Sequence, residues 1–187
     1  METMSDTVAK RPLPPRPTNG LLAWQATIGY ISTTYSLDAM LTLQAYPDSG
    51  GTAWAAKATW GQHGEEVAGE ASLPDALRDL WQVVDHNHVI FESREAIIKR
   101  PANYNAHEWL DADTDAILDQ LLQASSQVYG ADWQLVAVYQ PVESPNTRFQ
   151  ARLLARDNSV QIGGSGPTLC EACRSLYRNA APYFVAR

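Results

Sequence analysis

The chain is short of the residues that would declare a chemistry. Cysteine occurs only as Cys170 and Cys173, so no disulfide framework holds the protein together. No apolar run approaches the length of a membrane span, and residues 1–19 contain no apolar block of the kind a secretory signal carries. Basic residues are the minority, 14 against 21 acidic, and the net charge of −7 disfavours phosphate backbones and anionic membranes. A P-loop lysine, a G-x-G-x-x-G turn and a second C-x-x-C are all missing, which removes the usual nucleotide and structural zinc signatures. These absences lead to the expectation of a bacterial, cytoplasmic protein with no cofactor, no membrane association and little affinity for nucleic acid.

What is present suits a folded domain. Apolar residues make up 45% of the chain, and six Trp with eight Tyr supply large surfaces for a core. The segment Lys10–Pro17 has four prolines in eight residues, which blocks helix, so residues 1–19 are expected to form an extended tail. Its PxxP pattern is the kind that docks in aromatic grooves, but the reading taken is a flexible, solvated leader.

From residue 20 the elements repeat. Leu21, Trp24, Ile28 and Ile31 have helical spacing, and Thr18 or Asn19 stands ready as a cap. Met40–Tyr46 and Thr52–Trp60 follow as strands around a Pro/Asp/Ser/Gly turn, with a third short strand near Glu66–Ala68. Ser72 with Asp75 opens a helix whose stripe is Leu73, Ala76, Leu77, Leu80 and Val84. The same order then recurs: helix Ala112–Tyr129, strands Trp133–Gln140, Arg148–Ala155 and Val160–Ile162, and a helix opened by Thr168 and Glu171. The matches run from Tyr35 on Tyr129 through Tyr46 on Tyr139, Trp54 on Phe149 and Gly69 on Gly164 to Leu73, Ala76 and Leu80 on Leu169, Ala172 and Leu176. The pattern predicts an α+β fold by tandem duplication of an αβββα unit, with two three-stranded antiparallel sheets, each backed by helices, in a pseudo-twofold pair. The boundaries are 1–19 for the tail, 20–89 for the first repeat, 90–111 for an irregular connector and 112–187 for the second repeat. Residues 38–89 are net −6 and residues 132–187 net +2, a contrast that would help two copies face one another or would simply be solvated.

The order αβββα resembles that of double-stranded RNA-binding domains. Those domains start their second helix with lysines that grip phosphates. Here the matching places read Leu73-Pro-Asp-Ala-Leu-Arg78 and Leu169-Cys-Glu-Ala-Cys-Arg174, so the resemblance is confined to element order. The junction from Gly166 through Thr168, Leu169, Glu171 and Ala172 is similar to that of HicB-type antitoxins over about a dozen residues. Neither resemblance implies a functional residue.

Three constellations invite chemistry. Cys170 and Cys173 form a C-x-x-C at a helix start, where a thiol pKa can fall, yet Cys173 aligns with the core position Leu77. Gly163-Gly-Ser-Gly166 precedes a helix, as an anion-binding turn would, although a tight strand-to-helix turn serves the same sequence. His86, His88, His107 and Glu108 supply ligand types within about twenty residues; His86 and His88 would share a side on an extended segment and diverge on a helix. The reading reached is a non-enzymatic interaction or small-ligand-binding protein. It would pair with another protein or with itself as a homodimer, through a sheet edge or a Trp-bearing face. One alternative is a nucleic-acid binder using Arg148, Arg152, Arg156, Arg174 and Arg178 on one face. The other is a metal-dependent enzyme using His86, His88, His107 and Glu108.

Overall fold

The computed structural model describes residues 19–95, 106, 108–141 and 143–185, and for 87–95 the backbone path alone is considered. The order is α1 (Gly20–Tyr35), β1 (Ala39–Asp48), β2 (Gly51–Trp60), β3 (His63–Glu70), α2 (Leu73–Glu95), α3 (Ala112–Tyr129), β4 (Trp133–Tyr139), β5 (Phe149–Ala155), β6 (Val160–Gly166) and α4 (Leu169–Phe184). The αβββα order is therefore written twice. Most of the expected tail (1–18) and much of the expected connector fall outside the described residues. Helix α2 continues to Glu95, past the expected repeat boundary at residue 89.

Local chemistry explains where the helices begin. The Asn19 side chain accepts from the Leu22 N–H at 2.9 Å, and Asp111 accepts from the Thr114 N–H at 2.8 Å and its hydroxyl at 2.7 Å. Burial alone would raise the Asp111 pKa, but the bonds from Thr114 outweigh it and hold the carboxyl below its ordinary value. Ser72 and Thr168 each accept from the N–H three residues on, at 3.2 Å, while their hydroxyls donate to the carboxylates of Asp75 and Glu171. At the other end of α1 and α3, Ser36 and Gly130 take positive φ to end the helix.

The expected pair of three-stranded sheets is corrected. There is one six-stranded antiparallel sheet in the order β3-β2-β1-β4-β5-β6. The first strand of each unit would otherwise leave a row of N–H and C=O groups unpaired, and joining them removes two edges at once. The seam pairs Leu41 with Tyr139, Leu43 with Ala137 and Ala45 with Leu135. No charged residue lies along it, so the contrast between net −6 and net +2 plays no part in the join.

The register also corrects two of the sequence matches. Ala39, Leu41, Leu43 and Ala45 are buried on one face, as are Trp133, Leu135, Ala137 and Tyr139. Tyr139 thus corresponds to Ala45, because a one-residue slip sends every side chain to the other face. Gly164 pairs with Ala151 in a regular ladder and corresponds to Val67, whereas Gly69 sits unpaired at the β3 bulge with φ +83°. In the helices the matches agree: Leu77 and Cys173 are both fully buried, as are Leu80 and Leu176.

All four helices cover one face. Trp24, fully buried, donates through Nε1 to the Leu77 carbonyl at 3.1 Å and meets the Trp81 ring edge-on at 4.9 Å, binding α1 to α2. Glu108 and Trp109 accept at their carbonyls from the Gly20 and Leu21 N–H groups, and the Trp109 ring presses on Gly20. The second unit closes more tightly. A Cβ on Gly164 would fall 2.2 Å from the Leu176 nitrogen and one on Gly166 2.7 Å from the Ala172 nitrogen, so these glycines let α4 lie against β6. The sequence placed them in a turn; they belong to the strand.

Candidate interaction surface

The sheet face away from the helices is the largest feature that the core does not absorb. Period-two alternation puts Met40, Thr42, Gln44 and Tyr46 of β1 there, with Val136 and Val138 of β4, Gln150, Arg152 and Leu154 of β5, and Gln161, Gly163 and Ser165 of β6. Two rows cross all six strands. One is Ala68, Ala55, Gln44, Val136, Arg152 and Gly163; the other is Glu66, Lys57, Thr42, Val138, Gln150 and Ser165. Ala53 and Ala55 are buried but stand outside the core cluster, and no helix among the described residues packs on this side. The middle strands set Val136 and Val138 beside Thr42 and Gln44, with Lys57 bonded to Glu66 at 3.1 Å toward one edge and exposed Arg152 toward the other.

The two edges differ. Strand β3 carries Glu65, Glu66 and Glu70 and is bulged, devices that blunt an edge against pairing. Strand β6 carries no charge and runs straight from Val160 to Gly166. Because the Gln140 N–H donates to the Arg148 carbonyl, the even-numbered residues of β5 bond toward β4 and the odd-numbered ones toward β6. Phe149, Ala151 and Leu153 therefore pair with Gly166, Gly164 and Ile162, which leaves the backbone groups of Gln161, Gly163 and Ser165 directed outward. The Asn179 side-chain amide donates to the Gly163 carbonyl at 2.8 Å.

Two open clefts meet at this edge. One, of about 460 Å³, passes over the glycines between Gln150 and Arg152 on one side and Ser175 and Asn179 of α4 on the other. The second, of about 650 Å³, lies between α3 and α4 and is lined by Gln120, Asn146, Ser165, Arg174, Tyr177 and Arg178. Ser165 lines both.

The expected arginine face is divided. Arg152 leaves the helix-free face, while Arg174 and Arg178 stand on α4 over the other. Arg156 lies over the Tyr129 ring, 5.5 Å from its centroid, and Arg174 is held by Asp113 at 3.3 Å. The Nε of Arg148 is enclosed with no hydrogen-bond partner among the described residues. Arg152 and Arg178 have no carboxylate partner among those residues.

His86 is exposed near the middle of α2, and the backbone at His88 continues the same helix rather than an extended segment. His107 lies outside the described residues, and Glu108 is exposed. Among the described residues no three His, Cys, Asp or Glu side chains gather as a metal site would require. Cys170 and Cys173 are both buried and free. Burial pushes the Cys170 thiol up, and it pushes Cys173 to about 12, the reverse of an activated thiol. Of the tryptophans on strands, Trp54, Trp60 and Trp133 face the core and are at most 6% exposed.

Gln150, Ser175 and Asn179, which the sequence did not single out, and Ser165, read there as part of a glycine turn, owe their proximity to the β5–β6 pairing and the seating of α4. The period-two signal for Gln150 with Arg152 was present in the sequence; Asn179 had none. Among the described residues no helix is long and apolar enough to cross a membrane. No protein-family model, no curated protein and no solved structure matches this chain.

Proposed function

We propose that this α+β chain is a non-enzymatic binding protein that takes up polypeptide on the helix-free side of its sheet, and that its two αβββα units descend from one by tandem duplication. The observation that carries the first part is the one-sided architecture among the described residues: four helices on one face, and on the other a six-stranded surface with Val136 and Val138 on a middle strand and Ala53, Ala55 and Leu154 on the strands next to the edges. The second part is supported by the twice-written element order and by the shared burial of Leu77 with Cys173 and Leu80 with Leu176. The unbridged buried thiols agree with a cytoplasmic location.

Peptides selected from a random displayed library against the purified chain test the binding surface. Val136→Lys and Val138→Lys, each checked for folding by circular dichroism, are expected to weaken selected peptides at least tenfold. Leu22→Lys and Tyr183→Lys, at exposed positions on α1 and α4, should change binding less than twofold. Peptides indifferent to both valine variants would exclude this surface.

A further inference from the structure

Resting on that polypeptide-binding reading, we infer that the β6 edge is the entry point, and that it receives an extended acidic segment of another protein as a seventh strand. The outward backbone groups of Gln161, Gly163 and Ser165 are the side of a regular ladder that no strand pairs, with the Gly163 carbonyl held by Asn179. The strand has neither the charge nor the bulge that protects β3 at the opposite edge. Glycine at 163 and 164 keeps this stretch of the edge low, so the one side chain an incoming backbone is shown to displace there is that of Asn179.

The charge of the guest follows from what flanks the edge. Arg152 rises from the helix-free face and Arg178 from α4, and the clefts that hold them meet at Ser165. Arg174 adds a third cation, held by Asp113. Alternate side chains of a strand point to opposite faces, so a segment with acidic residues at successive positions meets Arg152 on one side and Arg178 on the other. The acids in the crevice itself are Glu171, whose carboxylate accepts from Thr168, and, beside it, Asp113. Asn179 holds the Gly163 carbonyl until the guest N–H replaces it, so it acts as a cover for the edge. A polypeptide is favoured over nucleic acid because the unpaired groups are a β ladder, spaced for a peptide backbone, on a chain of net charge −7. A second copy's β3 is the less suitable acidic strand, being bulged at Gly69 with Glu66 engaged by Lys57.

Fluorescence anisotropy with the full chain and a labelled nonapeptide of three Glu-Glu-Thr repeats, which places glutamates at successive positions, tests the assignment. The expected result is saturable binding that weakens with salt. It should fall at least tenfold for the lysine analogue and for a peptide N-methylated at consecutive amides, which blocks both edges of the guest strand. Arg152→Glu should weaken it at least tenfold, Arg78→Glu at an exposed position on α2 less than twofold, and Asn179→Ala should tighten it. Equal binding of the acidic and lysine peptides would overturn the assignment, and so would an unaffected N-methylated peptide. Tighter binding of a nine-nucleotide single-stranded DNA would replace the guest with nucleic acid. Concentration-dependent sedimentation lost in Arg152→Glu would put a second copy there instead. If the acidic peptide fails while library peptides still respond to Val136→Lys, the edge assignment falls and the polypeptide-binding reading stands. If both fail, both fall.

Discussion

Replacing Gly164 by alanine adds one methyl group where the structure has no room for it. The new Cβ would lie 2.2 Å from the Leu176 nitrogen, 2.6 Å from the Ala172 carbonyl oxygen and 2.7 Å from the Leu176 Cα. Ordinary carbon contacts begin near 3.5 Å, so β6 and α4 must separate by about 1 Å. None of the three atoms belongs to a side chain that could turn aside. The helix moves as a unit, and its fully buried residues Leu169, Ala172, Cys173, Leu176 and Ala180 all lose contact with the sheet. Overpacking costs about 1–3 kcal/mol where neighbours relax. With backbone on both sides the expectation is about 3 kcal/mol, the upper end. At this chain length that lowers the melting temperature by about 6–12 °C. Gly163→Ala is the matched control, since its Cβ would meet nothing nearer than 3.9 Å, and alanine is less costly than glycine in a strand. Urea denaturation followed by tryptophan fluorescence and circular dichroism measures both. A Gly164→Ala protein as stable as Gly163→Ala would refute the close seating of α4 on β6, and with it the clefts built on that contact.

Two further expectations follow from other sites. Cys173 has its pKa raised from 9.0 to about 12 by burial, so folding favours the neutral thiol. The resulting stability is complete below pH 9 and is lost as pH rises toward 12. Wild type should therefore lose about 1.4 kcal/mol per pH unit in that window beyond a Cys173→Ala variant, as read from urea midpoints at pH 8 to 11; parallel slopes would contradict the buried placement. Thr168→Ala removes the cap that accepts from the Glu171 N–H at 3.2 Å and should cost about 1 kcal/mol, while Thr168→Ser should retain most of it. Equal losses for the two would show that the hydroxyl is not what starts α4.

Much of the local structure was legible from residue order, because it depends on neighbours close in sequence. Asn19, Ser72 and Thr168 announced three helix starts, and the apolar stripe from Leu169 to Ala180 marked the face that α4 buries. The strands were legible from alternation, except that β3 and β6 extend further than their apolar content suggested, since glycine and glutamate give no strand signal at an edge. Of the candidate surface, Arg152 and Arg178 were named in advance and Asn179 was not, because an asparagine on a helix says nothing until the strand beneath it is known.

What the sequence alone determined was the inventory: four amphipathic helices, six short strands, a repeated order, and the exclusion of disulfide and P-loop chemistry. What only the tertiary structure decided was how the inventory closes. Backbone groups along an unpaired strand have no sequence code for their partner, and it is the seam from Leu41–Tyr139 to Ala45–Leu135 that makes one sheet of two. The same seam sets the register, and the register decides which face is helix-free and which residues of β6 look outward. A one-residue change in pairing would exchange core for surface throughout, and that choice is made by non-local packing.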